Sequence, residues 1–291
     1  MEMVTAATLR TLLDEHGLRA NKALGQHFLA DPNTARRIAR LAEIGPGDRV
    51  LEIGPGLGSL TLALVETGAH VLALELDRRI AAVLKEVVRD ALALANDGDL
   101  DASGVAVVVG DALELDIDSL LVEADPQARE WVSVSNLPYN VAAPIVIRVL
   151  EAVPRITRLL VMVQREVAER LVAAPGTRAA SAVSAKVAYY ASARIVGAVS
   201  PAVFVPKPRV DSALVRFDRR ATPPVVVPSS DALFDLVRAG FAQRRKMLRR
   251  SLRPVLGERT DVVLEDAGVA PTARAETLTL DDWAALARTA A

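Results

Sequence analysis

The stretch Leu51-Glu-Ile-Gly-Pro-Gly-Leu-Gly58 joins an apolar run to a segment with a helical pattern. The run Val50-Leu-Glu-Ile53 has the length and composition of a buried strand, and residues 60–67 predict the helix that follows it. Glycines in such a turn let the backbone bend sharply and let a ligand approach it closely. A strand, a glycine turn and a helix in this order are typical of an open α/β sheet.

The same alternation of strands and helices continues along the chain. Further strands are predicted at residues 71–75, 105–109, 131–135, 158–164, 193–200 and 213–217, and further helices at 79–95 and 180–191. The alternation predicts a mostly parallel sheet with helices on both faces, the α/β class. The acidic, turn-rich residues 96–104 predict a surface loop.

A change of pattern near residue 220 predicts two domains. The proline-rich segment at residues 221–230 disfavours a helix and weakens any strand, and only helical patterns follow it. We therefore expect an α/β domain at residues 1–219 and a small all-helical domain at residues 228–291.

The composition excludes several classes of protein. The chain has 291 residues, of which 51% are hydrophobic and 24% charged, as in ordinary globular proteins. It has no cysteine, so disulfides, thiolate metal sites and cysteine nucleophiles are excluded, and a reducing cytoplasm is the expected location. No apolar run approaches the roughly 18 residues that a membrane helix needs. Residues 1–19 lack the apolar core of a signal peptide, and no metal site is expected.

The details of the glycine turn favour a nucleoside without phosphates. Gly54, Gly56 and Gly58 give G-x-G-x-G, whereas the dinucleotide fingerprint G-x-G-x-x-G would need a glycine where Ser59 stands. Pro55 also removes a backbone N–H that could bind phosphate. The alternative is a tight turn with no ligand.

Carboxylates follow two of the predicted strands. Glu75 ends the second strand, where an acidic residue can accept hydrogen bonds from ribose hydroxyls. Asp111 follows the third strand and can accept a hydrogen bond from an adenine amino group, although a helix cap is the alternative for this residue. Asp77 is more simply a helix cap. Since strand ends of a parallel sheet meet at one edge, these sites together indicate a nucleoside cofactor.

Five motifs give the chain a family resemblance. They are Leu24-Gly-Gln-His-Phe-Leu29, Ser135-Asn-Leu-Pro-Tyr-Asn140, Gln164-Arg-Glu-Val-Ala-Glu-Arg-Leu171, Phe204-Val-Pro-Lys-Pro-Arg-Val-Asp-Ser-Ala213 and Phe241-Ala-Gln-Arg-Arg-Lys-Met-Leu-Arg-Arg-Ser-Leu252. With the glycine turn, and in this order over nearly the whole chain, they resemble the ribosomal RNA small-subunit adenine dimethyltransferase family. The resemblance implies a Rossmann-like class I methyltransferase fold.

The resemblance also implies the cofactor, S-adenosylmethionine, and the residues that bind it. These are His27, Leu29, Gly54, Gly56, Glu75, Asp111 and Asn136. The family most often has asparagine where His27 stands, and a neutral imidazole can still donate or accept a hydrogen bond.

A catalytic role is expected for Asn136, Leu137, Pro138 and Tyr139, and for Phe204 by resemblance. The side-chain carbonyl of Asn136 and the backbone carbonyl of Leu137, in a turn constrained by Pro138, would accept the hydrogens of an adenine amino group. Its lone pair would then point at the methyl group, and positioning would supply much of the rate. Tyr139 and Phe204 would stack on the extruded base. The alternative for both aromatics is ordinary core packing.

A basic segment predicts contact with RNA. Gln243-Arg-Arg-Lys-Met-Leu-Arg-Arg-Ser-Leu-Arg253 has few acids, and helical spacing would put its cations on one face. The expected RNA-binding residues are Arg244, Arg245, Lys246, Arg249 and Arg250, and a solvated helix face is the alternative.

The family's substrates are two adjacent adenines in a hairpin loop near the 3′ end of small-subunit ribosomal RNA. We therefore expect a monomeric enzyme that acts on this RNA within a pre-ribosomal particle. The alternatives are the related large-subunit adenine methyltransferases of macrolide resistance, a non-catalytic assembly or transcription factor and, more distantly, a dehydrogenase. The sequence N-L-P-Y-N at residues 136–140 favours the small-subunit enzyme.

Overall fold

The computed structural model describes residues 3–20, 25–92 and 104–291. The predicted loop at residues 96–104 therefore lies outside the described residues except for Gly104, and so does Leu24 of the first motif. The chain divides into two compact units. The first comprises the described residues of Met1–Ala168 and Arg194–Asp218, and the second comprises Glu169–Ala193 and Arg219–Ala291.

A seven-stranded sheet is formed by β2 (Arg49–Ile53), β3 (His70–Glu75), β4 (Val105–Val109), β5 (Trp131–Asn136), β6 (Ile156–Gln164), β7 (Ala191–Val199) and β9 (Ser212–Arg219). The strand order is β4-β3-β2-β5-β6-β9-β7. Five neighbouring strands from β4 to β6 are parallel, and β9 is antiparallel to β6. The predicted α/β class with a mostly parallel sheet is confirmed.

Helices flank these strands in the first unit. They are α1 (Ala6–Glu15), α2 (Pro32–Leu41), α3 (Ser59–Val65), α4 (Arg78–Ala91), α5 (Ile117–Ala124), α6 (Ala142–Ala152) and α7 (Arg165–Leu171), which continues into the second unit. In α4 the buried residues Ile80, Val83, Leu84 and Val88 recur at three- and four-residue spacing, so one stripe of the helix faces the core.

A separate two-stranded sheet joins the motif that ends at Leu29 to the motif that begins at Phe204. In it β1 (Phe28–Leu29) pairs in antiparallel fashion with β8 (Phe204–Val205), so that Leu29 lies opposite Phe204. The short antiparallel pair fixes the segment before β1 against the chain that leads into β9.

The second unit is mostly helical. Its helices are α8 (Ala182–Tyr190), α9 (Ser230–Ala242), α10 (Leu248–Ser251), α11 (Arg253–Leu256), α12 (Thr260–Asp266) and α13 (Leu280–Ala290). Their core contains Trp283, Phe234 and Tyr189. Residues 169–193 belong to this unit, whereas the sequence predicted a continuous first domain up to residue 219. Packing of α8 against α9 and α13 accounts for the difference.

The basic segment is not one helix, so that prediction is wrong. The backbone leaves α9 at Gln243 (φ −121°, ψ 53°), and α10 begins only at Leu248. The backbone N–H of Leu248 donates to the carbonyl of Ala273 (2.8 Å), and Leu248 is fully buried while Met247 is 40% exposed. Leu248 therefore packs into the core of the second unit from a separate short helix, and α10 does not continue α9.

No helix within the described residues has both the length and the apolar character needed to cross a membrane.

Candidate active site and cofactor pocket

The glycine turn between β2 and α3 is shaped by close approach of a neighbouring segment. Gly56 has φ +58°, and a Cβ atom there would lie 2.8 Å from Cδ1 of Phe28. Only glycine combines this backbone conformation with that contact. The turn is also fixed to the sheet, because the N–H of Gly54 donates to the carbonyl of Leu74 (2.9 Å).

The segment before β1 lies against the Ser135–Asn140 motif. Gly25 has φ +65°, and a Cβ atom there would lie 2.9 Å from Oδ1 of Asn140 and 3.1 Å from the backbone nitrogen of Tyr139. Glycine is therefore required at this crossing.

His27 is oriented by a backbone carbonyl. Its Nδ1 atom lies 2.7 Å from the carbonyl oxygen of Pro206. Since a carbonyl can only accept, Nδ1 carries the proton, and in the neutral ring Nε2 is then the acceptor. His27 lines the cavity described below, so the ring can offer this acceptor to a ligand.

Asn136 is fixed by the main chain of the same segment. Its Nδ2 donates to the carbonyl oxygen of His27 (3.1 Å). This contact determines the orientation of the amide, because a carbonyl cannot accept from Oδ1. The oxygen Oδ1 is thereby left to accept hydrogen bonds. Leu137 is buried, and its N–H donates to the carbonyl of Met162 on β6 (3.2 Å), which anchors the turn that follows β5.

Tyr139 is held on two sides. The centroids of its ring and the His27 ring are 5.0 Å apart at an interplanar angle of 31°. Its hydroxyl is 2.7 Å from Oγ of Ser212 at the start of β9. Burial raises the pKa of the Tyr139 phenol, and the hydrogen bond with Ser212 opposes this rise. The phenol therefore stays neutral at physiological pH.

Three carboxylates lie at the carboxyl ends of β3 and β4. Glu75 is 5% exposed, and its two oxygens accept from the N–H groups of Gly56 (3.2 Å) and Asp77 (3.0 Å). Burial raises the pKa of Glu75, and these backbone donors oppose the rise. Asp77 caps α4 as predicted, by accepting from the N–H of Arg79 (2.8 Å). Asp111 accepts from the N–H of Leu113 (2.8 Å) and so caps a turn, and it also lines a cavity.

Two cavities meet at these residues. The first is open to solvent, with about 610 Å³ of empty space that includes the solvent at its mouth. It is lined by His27, Leu29, Gly54, Gly56, Glu75, Asn136, Leu137, Pro138 and Tyr139 among others. The second, of about 660 Å³, is lined by Asp77 and Asp111 and by four residues that it shares with the first, Gln26, Gly54, Glu75 and Pro138. The predicted cofactor residues thus line two adjoining cavities in one unit of the fold.

The donor and acceptor groups of these cavities fit a nucleoside without phosphates. Glu75 and Asp111 are acceptors for hydroxyl and amino groups, and as carboxylates they would repel a phosphate. Pro55 lines the first cavity without an N–H group. S-adenosylmethionine carries hydroxyl, amino and sulfonium groups but no phosphate, so these residues suit it.

Phe204 is the one predicted catalytic residue that lines neither of these two cavities. It is 3% exposed and packs in the hydrophobic core of the first unit, opposite Leu29. Its position in β8 accounts for this, and ordinary core packing, the alternative considered from the sequence, describes its surroundings.

Sequence reasoning missed other lining residues. Phe28 and Gln26, which flank His27 along the chain, also line the first cavity. Leu76 lines the second cavity, and 52% of this residue is exposed. Glu52 lines the first cavity, is 1% exposed and accepts from the hydroxyl of Thr61 (2.7 Å). Burial raises the pKa of Glu52 to about 8. A charged residue between the apolar residues Leu51 and Ile53 was the signal that could have identified Glu52.

The five predicted RNA-binding residues of the second unit divide into one paired residue, Arg244, and four exposed ones. Nε of Arg244 lies 2.8 Å from a carboxylate oxygen of Glu276, and its guanidinium also donates to the carbonyl of Arg178. The side chains of Arg245, Lys246, Arg249 and Arg250 are exposed. Arg244 is therefore engaged within the unit, whereas the other four residues face solvent.

Comparison with known proteins identifies relatives along almost the whole chain. The family model described as ribosomal RNA adenine dimethylase matches residues 17–291. The ribosomal RNA small subunit methyltransferase A of Acidothermus cellulolyticus is 47% identical over 285 residues, which cover 97% of this chain and 93% of that protein. The protein of the same name from Thermobifida fusca is 45% identical over 287 residues, covering 98% and 95%.

Solved structures share the fold. The 23S rRNA methyltransferase ErmE has a TM-score of 0.62 and 28% identity, covering 90% of this chain and 98% of its own. A dimethyladenosine transferase from Plasmodium falciparum has a TM-score of 0.68 at 23% identity, covering 89% and 96%, a likeness of fold. The predicted Rossmann-like methyltransferase fold is confirmed. The chain belongs to the ribosomal RNA adenine dimethylase family, and the S-adenosylmethionine-dependent methyltransferase predicted from its motifs is confirmed with it.

Proposed function

We propose that this enzyme transfers methyl groups to the N6 amino groups of two adjacent adenines in a hairpin loop near the 3′ end of small-subunit ribosomal RNA. One observation carries the proposal: Asn136 and Tyr139 line the same cavity as the glycine turn and Glu75. The residues proposed to bind an adenine and those proposed to bind a nucleoside cofactor thus line one cavity.

The chain's own residues would hold the cofactor along the two adjoining cavities. Glu75 would accept from the ribose hydroxyls, Asp111 from the adenine amino group, and Nε2 of His27 from the ammonium of the methionine part. When bound, S-adenosylmethionine supplies a methyl group whose bond to sulfur breaks as an amine attacks, with the electron pair left on sulfur.

Asn136 and Leu137 would orient the target nitrogen. The amino group of adenine is a weak nucleophile because its lone pair is delocalised into the ring. Oδ1 of Asn136, left to accept by the hydrogen bond from Nδ2 to His27, would take one amino hydrogen, and the carbonyl of Leu137 the other. The lone pair would then point into the cavity. No strong base is required, because the proton leaves to water after the nitrogen has become cationic. Positioning of this kind can supply a large part of a rate enhancement.

Tyr139 would stack on the extruded adenine, because it is the aromatic residue of the N-L-P-Y motif that lines the first cavity. Enzymes that modify a base must take it out of its stack, and an aromatic ring compensates for part of the lost stacking. We do not extend this role to Phe204, which lies in the core.

We propose the small subunit as the source of the substrate because relatives named ribosomal RNA small subunit methyltransferase A are 43% to 47% identical to this chain. A large-subunit substrate is the second candidate, favoured by the 28% identity with ErmE over 90% of the chain. The higher identity and the nearly complete coverage on both sides favour the small subunit.

The exposed basic residues of the second unit would bind the RNA backbone. Arg245, Lys246, Arg249 and Arg250 are exposed around α10, and exposed cations that neutralise phosphates supply most non-specific affinity for RNA. The enzyme would act as a cytoplasmic monomer on a pre-ribosomal particle, since the proposed hairpin loop belongs to the assembling subunit.

In the decisive experiment, the enzyme is incubated with labelled S-adenosylmethionine and small-subunit particles that lack the modification, and separately with large-subunit particles. The methylated nucleotides are then mapped. Methylation of two adjacent adenines near the 3′ end of the small-subunit RNA is expected. Methylation confined to the large-subunit RNA would establish the second candidate instead, and no methylation of either RNA would contradict both.

The same assay tests the role of Asn136. Asn136→Ala should lower kcat by about 100-fold or more, as removal of an oriented polar group from an active site commonly does, with RNA affinity unchanged. Asn33→Ala is the matched control, because Asn33 is an exposed asparagine at the start of α2. Turnover of Asn136→Ala within a fewfold of wild type would refute the mechanism.

A further inference from the structure

Ser212 is a buried polar residue beside the proposed target site. It is 1% exposed, begins β9 and lies opposite Gln164 on β6 in the antiparallel pair. Its hydroxyl is 2.7 Å from the hydroxyl of Tyr139. A rigid strand of the central sheet thus contacts the far end of the aromatic side chain that lines the first cavity.

Tyr139 needs such a contact because its backbone lies in a turn between β5 and α6 rather than in a helix or strand. A tyrosine ring rotates about two side-chain bonds, and a contact at its far end restricts both rotations. The His27 ring limits one face, with centroids 5.0 Å apart, and Ser212 fixes the hydroxyl end.

The hydrogen bond persists across the working pH range. Burial raises the pKa of the Tyr139 phenol, so the hydroxyl keeps its proton. Either hydroxyl can donate to the other. Because Ser212 is buried, loss of the tyrosine hydroxyl would leave a buried polar group unsatisfied, which favours the paired arrangement.

We propose that Ser212 is a positioning residue for methyl transfer, which holds the Tyr139 ring in the orientation that receives the target adenine. The inference rests on the proposed function, because it takes Tyr139 to be the stacking residue. Ser212 itself touches neither the base nor the cofactor and acts through the tyrosine hydroxyl.

A double-mutant cycle tests this coupling. Ser212→Ala and Tyr139→Phe should each lower kcat by about 3- to 10-fold, the effect of one lost hydrogen bond, with cofactor Kd unchanged. The double variant should match either single variant, since both remove the same contact. Ser133→Ala, which removes another buried serine hydroxyl from the sheet, should leave kcat near that of wild type. If the fold-decreases in kcat of the two single variants multiplied in the double variant, Ser212 would act independently of the tyrosine hydroxyl, and the inference would be overturned.

A second measurement does not depend on activity. The chain has three tyrosines, so fluorotyrosine labelling gives few fluorine NMR signals, and Tyr139→Phe assigns one of them. Ser212→Ala should shift or broaden the Tyr139 signal and leave those of Tyr189 and Tyr190 unchanged. An unchanged Tyr139 signal would overturn the inference whether or not the enzyme methylates ribosomal RNA, whereas inactive wild type with a responsive signal would refute only the proposed function.

Discussion

Glu52 should give the free enzyme a pH-dependent stability that can be measured without any substrate. Its carboxyl is 1% exposed on β2 and accepts a hydrogen bond from Thr61. Burial raises its pKa from 4.5 to about 8; the Thr61 hydrogen bond opposes the rise, and the charge of Glu75 adds to it. The folded protein therefore holds this proton to a higher pH than the unfolded chain does.

The sign and size of the effect follow from this difference. The stabilisation is fully present below pH 4.5 and is lost as the pH rises through about 8. Between pH 6 and pH 8 the unfolded carboxyl is ionised, whereas the folded one changes from almost fully protonated to about half protonated. Each pH unit in such a window costs about 1.4 kcal/mol, so the free energy of unfolding should fall by about 2 kcal/mol over this range, less than two full units because titration has begun at its upper end.

Thermal unfolding of wild type and Glu52→Gln at pH 6 and pH 8 measures this contribution. Glutamine keeps a carbonyl to accept from Thr61 but does not titrate. With about 2 to 4 °C per kcal/mol for a unit of this size, Tm of the variant relative to wild type should rise by about 4 to 8 °C between the two values. Glu123→Gln, at an exposed position, is the control. Parallel curves for wild type and Glu52→Gln would show that the buried carboxyl is not protonated at pH 6.

The other predictions concern cofactor binding and the basic surface. Glu75→Gln should weaken cofactor binding in calorimetry by about 10- to 100-fold, because one charged acceptor is lost; an unchanged Kd would remove Glu75 from the binding site. Gly25→Ala should weaken cofactor binding more than Gly47→Ala, since Gly47 also has a positive φ but has open space at its Cβ; equal effects would argue against the crossing at Gly25. Lys246→Gln should lower the slope of log RNA affinity against log salt by about 0.7 to 0.9, because one phosphate contact is lost. Arg244→Gln should instead lower Tm and leave this slope nearly unchanged, because Arg244 is paired with Glu276. The reverse pattern would contradict the assignment of Arg244 to the ion pair.

The central sheet could be predicted because its signals are local. The apolar run of β2, the glycine turn and Glu75 follow one another along the chain, and parallel pairing of β2 with β3 brings the ends of both strands to the same edge. The predicted strands and the helices near α4 and α8 agree with the structure within a few residues where they are described. Periodicity over several residues is sufficient for such elements.

The remaining features depend on contacts between distant residues. Spacing suggested one basic helix, but the carbonyl of Ala273 and the burial of Leu248 end that continuity. A motif position suggested that Phe204 faces the ligand, but pairing of β8 with β1 turns it into the core. The sequence pattern of the basic segment likewise could not predict that Arg244 pairs with Glu276.

Residue 27 shows why a departure from the family pattern need not disturb the site. Its carbonyl oxygen orients Asn136, and every residue type supplies that atom. Its side chain donates to the carbonyl of Pro206 through a ring N–H, and the amide of an asparagine also carries an N–H donor. The main-chain contact with Asn136 therefore does not depend on which side chain stands at residue 27, and either side chain carries an N–H donor. Histidine adds a ring contact with Tyr139 and an acceptor, Nε2, on a ring that lines the cavity. The substitution thus links the proposed cofactor contact to the residue that would bind the adenine, through one side chain whose orientation is set by the chain between β8 and β9.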